Sequence, residues 1–456
     1  MELSRAIEVG SYKNAESYAT QASREGVGFR VLLVALWLVF DYGRPSNPLH
    51  IPMVISALLF LAWIFHPHKK WNVQICCFLI FLGVMLIDIP LAANNHEAFW
   101  STYGMAVVLL TAVIPLIHVV DSLRKLAFLI NTWMVVFLYV GVWAIFHEGW
   151  GPALDMGHDE NYVGTLMTMA LPFAFFYLFF ESGLIRKALL VVFCVSYLGA
   201  IVVGLSRGAF IGLCFVFLYC LKHSPRKWIG WTVGFVLVLA LSFFATEKYW
   251  NEVSSIKDTD RGSASDRLDF WEIATREFLH YPLTGVGPGN FTWRAGEFQS
   301  AEQLLRWGHS LEGNYVAHSL YFELLADLGL AGAILFLVIL YQNYKDLKLV
   351  KQVIKRARDR LNKEIVVLPD EQKALRLEDL ARADCYRNAL TGSLIGCLVP
   401  SAFLSTLYFS YFWVLTGMIV ALREICLTKW MHPNEKDNQF IPASLHEKFN
   451  QVKPIP

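Results

Sequence analysis

Three side chains stand where an apolar chain should avoid them. Arg207 lies in the bend Gly204-Leu205-Ser206-Arg207-Gly208-Ala209, between two apolar runs. His318 opens a later apolar run, Ala317-His318-Ser319-Leu320-Tyr321. Arg267 falls between them, in Ser265-Asp266-Arg267-Leu268-Asp269-Phe270-Trp271. A guanidinium is a planar fork of donors that matches phosphate oxygens. An imidazole, with an ordinary pKa of about 6.5, can take a proton at ambient pH. Holding a cation near hydrocarbon costs energy, so one kept at the end of a membrane span points to function. The chemistry these residues suit is capture of an anionic, lipid-borne group and proton transfer from a hydroxyl, at a membrane surface.

Each residue also has a plainer reading. Arg207 could snorkel to the interface, His318 could cap a helix, and Arg267 could be neutralised by Asp266 and Asp269 on a solvated face. Arg261, Arg276, Arg294 and Arg306 share the same polar stretch, and spacing does not rank them. Gly285-Val286-Gly287-Pro288-Gly289-Asn290 could cradle an anion with backbone N–H groups, although a structural turn is the simpler reading. Asp258-Thr259-Asp260 has the spacing of a divalent-ion site, in a stretch that otherwise reads as solvated loop. His147, Glu148, Asp155, His158, Asp159 and Glu160 cluster without fixed ligand spacing. Asp159-Glu160-Asn161 more simply caps the helix that follows.

The elements that carry these residues are mostly apolar. Of 456 residues, 55% are hydrophobic and 17% charged, with a mean hydropathy of +0.44. Soluble domains carry about 25% charged residues, so the chain reads as an all-α polytopic membrane protein. Its basic residues are scattered, which argues against nucleic-acid binding. The eight cysteines fall almost entirely in apolar runs and show no metal-type spacing, so they read as packing residues. Residues 1–26 are polar and lack an apolar core, so no cleavable signal peptide is expected.

Spans of about 20 apolar residues are expected near 27–41, 49–65, 72–91, 98–120, 125–146, 161–180, 187–205, 208–222, 228–245, 318–342, 389–405 and 407–427. Basic residues set their orientation. Lys69, Lys70, Arg124, Lys125, Arg186, Lys187, Lys222, Arg226, Lys227 and the basic 344–388 segment alternate with loops 91–97 and 147–160, which lack Lys and Arg. The expected layout is a cytoplasmic segment 1–26, spans one to nine over 27–245, a large periplasmic loop 246–316, span ten over 317–343, a cytoplasmic segment 344–388, spans eleven and twelve over 389–427, and a cytoplasmic tail 428–456. In the loop, the apolar pattern of Leu268, Phe270, Trp271, Ile273, Ala274 and Phe278 predicts an amphipathic helix over 266–279. In 344–388, two amphipathic helices are expected, broken near Leu368-Pro369-Asp370, resting on anionic headgroups or forming a solvated linker. Gly204, Gly208 and Gly212 would let helices approach closely around Arg207.

The chain resembles the bacterial O-antigen ligase and O-antigen polymerase superfamily. The resemblance rests on Ser206-Arg207-Gly208-Ala209, the Arg267 helix with Gly285-Val286-Gly287-Pro288-Gly289-Asn290-Phe291, and His318-Ser319-Leu320-Tyr321 running into Leu325-Ala326-Asp327-Leu328-Gly329-Leu330-Ala331-Gly332. It rests also on a large loop set between late spans. Ser319 replaces a common Asn, Glu323 a common Gln and Asp327 a common Glu, and Asp159-Glu160-Asn161 matches the relatives' Asp-x-Asn only in part. The resemblance implies a GT-C-like membrane glycosyltransferase of the inner membrane. It implies an undecaprenyl-diphosphate-linked glycan donor, no metal or other cofactor, and Arg207, Arg267 and His318 in the catalytic roles. Arg207, Arg267, Tyr321, Gly287 and Asn290 would contact substrate. The acceptor would be a glycan, lipid A–core or protein, with polysaccharide-assembly proteins as partners. A transporter or flippase of a lipid-linked or small anionic substrate is the alternative, though no related halves are visible.

Overall fold

The computed structural model describes residues 26–43, 51–67, 69–152, 159–228, 230–231, 263–311, 313, 315–363 and 370–431. Every regular element among them is helical. In chain order the principal helices are α1 Phe29–Gly43, α2 Ile51–Ile64, α3 Val73–Asp88, α4 Asn95–Val119, α5 Leu123–Phe146, α6 Glu160–Phe180, α7 Leu184–Val203 and α8 Arg207–His223. They continue as α9 Ser263–His280, α10 Ala301–Trp307, α11 Leu320–Asn362, α12 Asp370–Leu398 and α13 Ser410–Trp430. Seven described helices are long and apolar enough to cross a membrane, so the chain is a multi-pass membrane protein. The expected span 228–245 lies almost wholly outside the described residues.

Two boundaries differ from expectation for one reason. Helix α11 covers 43 residues with a break at Gly329, and beyond that break it runs on from span ten into the first amphipathic segment. Helix α12 likewise joins the second amphipathic segment to span eleven. Neither junction carries a proline or glycine to stop the helix, and apolar contacts merely give way to solvated ones. The basic stretch of α11 beyond Asn343 therefore continues along the axis of the same helix.

Glycine permits the closest packing. A Cβ on Gly212 would meet Pro400 Cγ at 2.5 Å, and one on Gly164 would meet Ala209 Cβ at 2.5 Å. A Cβ on Gly396 would meet the Thr168 carbonyl at 2.3 Å. The Thr168 hydroxyl donates to the Gly396 carbonyl at 2.7 Å. Helices α6, α8 and α12 thus meet backbone to backbone, as the glycine stripe around Arg207 predicts. At the far end of the bundle, buried Gln74 donates to Asn343 (2.8 Å) and Asn343 to Thr416 (2.9 Å). Asp346 pairs there with Arg423 at 3.1 Å. All eight cysteines are free.

The connections containing Asn94, Asp159, Leu205, Gly287 and Tyr408 gather at the opposite end, with α9 packed across α11. The alternation of basic and non-basic loops anticipates this sorting.

Candidate functional site

The loop segment builds a small core of its own. Phe270, Ile273 and Ala274 of α9 pack with Phe291, Ala295, Leu311, Ala317 and Ala326. These apolar positions recur every three to four residues of α9, as an amphipathic helix requires. The helix begins a turn earlier than expected and ends where the Gly-Pro run starts. Three of its unranked arginines turn out to hold this core together. Arg306 pairs with Asp269, which also accepts from Trp307 Nε1 at 2.9 Å and Gln303 at 3.2 Å. Asp269 is therefore committed to α10. Arg276 pairs with Glu272 and donates to the Phe298 carbonyl at 2.8 Å. Arg294 donates to the Tyr281 hydroxyl and lies near Glu297 at 3.6 Å. Arg261 and the Asp258-Thr259-Asp260 pattern lie outside the described residues.

The glycine turn locks the loop onto α11. That helix is broken at Gly329, with φ 56 and ψ −153, a backbone open mainly to glycine. The turn supplies hydrogen bonds that the break removes. Val286 N–H donates to the Ala326 carbonyl at 2.8 Å and Gly287 N–H to the Asp327 carbonyl at 3.0 Å. In return Leu330 N–H donates to the Pro282 carbonyl at 2.8 Å. The buried Asp327 side chain accepts from Gly289 N–H (2.9 Å), Phe291 N–H (2.8 Å) and the Tyr408 hydroxyl (2.7 Å). Asn290, with no exposed surface, accepts from Asn94 N–H at 2.6 Å and donates to the Pro288 carbonyl at 2.9 Å. Gly287 and Asn290 thus spend these groups inside the protein, which favours the structural turn over the anion cradle. Tyr321 donates its hydroxyl to the Leu398 carbonyl at 3.0 Å.

At the head of α11, His318 adopts a left-handed backbone with φ 47. That conformation costs a non-glycine residue about 1–3 kcal/mol and persists where surroundings impose it. Its ring packs on Phe270, one turn beyond Arg267, with centroids 5.8 Å apart. Burial pushes the imidazole pKa down to about 4; the Arg267 charge acts in the same direction and the Asp159 charge opposes it. The imidazole is therefore neutral at ambient pH, with a guanidinium and a carboxylate within electrostatic reach.

Arg207 starts α8 at a second strained bend, where Leu205 has φ 51. Ser206 caps the helix by accepting from Ala209 N–H at 3.3 Å. The same hydroxyl donates to Asn161 Oδ1 at 2.8 Å, and the Asn161 amide donates to Asp159 Oδ1 at 2.8 Å. Asp159 also caps α6 through Asn161 N–H at 2.7 Å, as expected. A Cβ on Gly149 would meet Gly204 Cα at 2.4 Å, which presses the 147–150 connection onto the bend. The Arg267 and Asp159 charges therefore both reach His318, and hydrogen bonds through Asn161 and Ser206 tie Asp159 to the bend that carries Arg207.

Among the 147–160 candidates, Asp155 and His158 lie outside the described residues. His147 stacks on Trp143, with ring centroids 4.1 Å apart. No three metal-type side chains cluster among the described residues. Sequence reasoning missed Tyr408, Asn94 and the link from Asn161 to Ser206. Only the Asp-x-Asn likeness at Asp159 hinted at the last of these.

Residues 190–337 match the protein family described as O-Antigen ligase. The stretch holds the Arg207 bend, α9, the glycine turn and the outer part of α11. The resemblance to the O-antigen ligase and polymerase superfamily therefore holds where the site is built. No curated protein matches the chain.

Proposed function

We propose that the protein is a membrane glycosyltransferase that polymerises a lipid-linked glycan on the periplasmic face of the bacterial inner membrane. The observation that carries this reading is the strained, buried His318, whose imidazole feels the charges of Arg267 and Asp159, with Asp159 tied through Asn161 and Ser206 to the bend that holds Arg207. The family match supports the reaction class. In this reading the chain crosses about twelve times, both termini are cytoplasmic, and the 246–316 loop is periplasmic.

The donor is an undecaprenyl-diphosphate-linked glycan. An acceptor sugar hydroxyl attacks the anomeric carbon from the face opposite the diphosphate, so configuration inverts. The new C–O bond forms as the bond to the diphosphate breaks, and the electron pair leaves on phosphate oxygen. Arg207 and Arg267 stabilise that developing charge. No metal takes part in this scheme. His318 accepts the hydroxyl proton. Its low pKa makes it a weak base at rest, yet the incoming diphosphate offsets the Arg267 charge and strengthens it as the transfer proceeds. Nothing in the chain marks a lipid A–core or protein acceptor, so polymerisation of repeat units is preferred over ligation.

The test is complementation of a deletion strain. His318→Ala and Arg207→Ala should reach the membrane in normal amount and make no polymer, leaving single lipid-linked repeats on a gel. Long lipid-linked chains that never reach the surface would assign a ligase instead. Repeats trapped on the cytoplasmic side would assign a flippase, and normal polymer from both variants would remove these side chains from the reaction.

A further inference from the structure

Glu277 is the least explained side chain in the loop. It lies on α9, ten residues beyond Arg267, and none of its surface is exposed. Neither carboxyl oxygen has a hydrogen-bond partner. Helix α9 packs on α11 and on the short turns at 291–298. Those elements present three charged groups to Glu277: Asp327 from α11, and Arg294 and Glu297 from the turns. None neutralises it. Asp327 is already filled by two N–H groups and the Tyr408 hydroxyl, and repels a second negative charge. Arg294 spends one amino group on the Tyr281 hydroxyl and lies near Glu297; its buried Nε is unpartnered, and its charge offsets only part of the cost of burying Glu277. On α9 itself, Arg276 is held by Glu272 and Gln303, and His280 is exposed and packs on Tyr281. A charged carboxylate without partners in such a place is far costlier than a neutral acid.

We propose that Glu277 is a proton-linked positioning residue, which seats α9 on the broken helix α11 only as the neutral acid and so sets where Arg267 stands relative to His318. Burial first, and Asp327 next, hold the docked carboxyl up at about 10, against 4.5 for a free one. The docked pKa is the raised one, so docking is complete below the free value and weakens as pH rises toward the docked value. Across that window each opening of α9 releases one proton. The open fraction should therefore rise tenfold per pH unit. The consequence for Arg267 rests on the transfer reading above; the docking itself does not.

The experiment is hydrogen–deuterium exchange of the full chain in lipid nanodiscs from pH 5 to pH 9. Rates are corrected for the intrinsic pH dependence of exchange, with α6 peptides as internal reference. Peptides over 266–280 should show opening that climbs tenfold per pH unit in the wild type. They should show a constant, low value in Glu277→Gln, which keeps the shape and cannot ionise. Glu277→Leu, a second uncharged form, should match Gln. A flat wild-type profile, or a slope that persists in both variants, overturns the proposal. Because exchange reads docking, an active His318→Ala protein with an intact α9 slope would overturn the transfer reading and leave this one standing, whereas an inactive one with a flat slope would do the reverse.

Discussion

The two helix starts that carry Arg207 and His318 are built differently. At α8 the strain falls on Leu205, the next residue is a capping serine, and Arg207 follows already inside the helix. At α11 the strain falls on His318 itself, and the N-cap residue Ser319 makes no side-chain cap bond. The first start is held by local hydrogen bonds that continue into α6. The second is held from outside, by Phe270 of α9 and by the glycine turn that fills the break at Gly329. In the proposed transfer, Arg207 would take its position from its own helix start, whereas the His318 ring takes its position from the outer loop.

The sharpest way to break this comparison is at the imidazole. His318→Ala should lower transfer by a hundredfold or more, as loss of a general base does, with membrane abundance unchanged on a blot. Arg207→Lys and Arg267→Lys should each cost about 3 kcal/mol of transition-state stabilisation, read as a hundredfold fall in polymer formed per unit time. Lysine keeps the charge and loses the fork, so near-normal rates would reduce both residues to simple counter-charges.

The pH dependence sharpens the contrast further. In the proposed transfer a neutral His318 would be the active form, so the rate should hold from pH 8 down and fall only as pH drops toward about 4. Arg267 pushes that pKa down, so Arg267→Gln should raise it and move the acid limb to higher pH. An unmoved limb would separate the two residues.

Smaller effects should distinguish the two starts by stability. Asp327→Ala leaves the buried Phe291 N–H unpaired, at about 1–3 kcal/mol, while Gly289 N–H keeps the Tyr408 hydroxyl. It should lower the melting temperature and raise exchange in the 281–291 turn. Ser206→Ala should cost about 1 kcal/mol as a lost cap, measured by denaturation in detergent. Leu205→Gly should relieve the left-handed strain and gain about 1 kcal/mol or less, the smallest change of the set.

Much of this was legible in the chain and some could not be. The glycine spacing at 204, 208 and 212 anticipated close helix packing, and the apolar rhythm of 266–279 anticipated α9, because both depend on residues three and four apart. Helices α11 and α12 run past the expected span ends because a helix can continue without any local signal. Nearness in sequence makes Asp269 a possible partner of Arg267, whereas folding brings Arg306 and Trp307 to it. Asn290 meets Asn94 across 196 positions, and Gly289 meets Tyr408 across 119. No local pattern encodes such pairs.

The amino-acid order alone determined that the chain is a bundle of membrane helices, that its basic loops alternate, and that Arg207, Arg267 and His318 stand at polar boundaries. Each follows from hydrophobic periodicity and the cost of charge in hydrocarbon. Only the tertiary structure decided which arginines hold the loop and which faces the imidazole. It alone placed the glycine turn in a break in α11 and sealed Glu277 away from every partner. Those outcomes depend on distant segments competing for the same buried donors and acceptors, and that competition is settled only when the chain is packed.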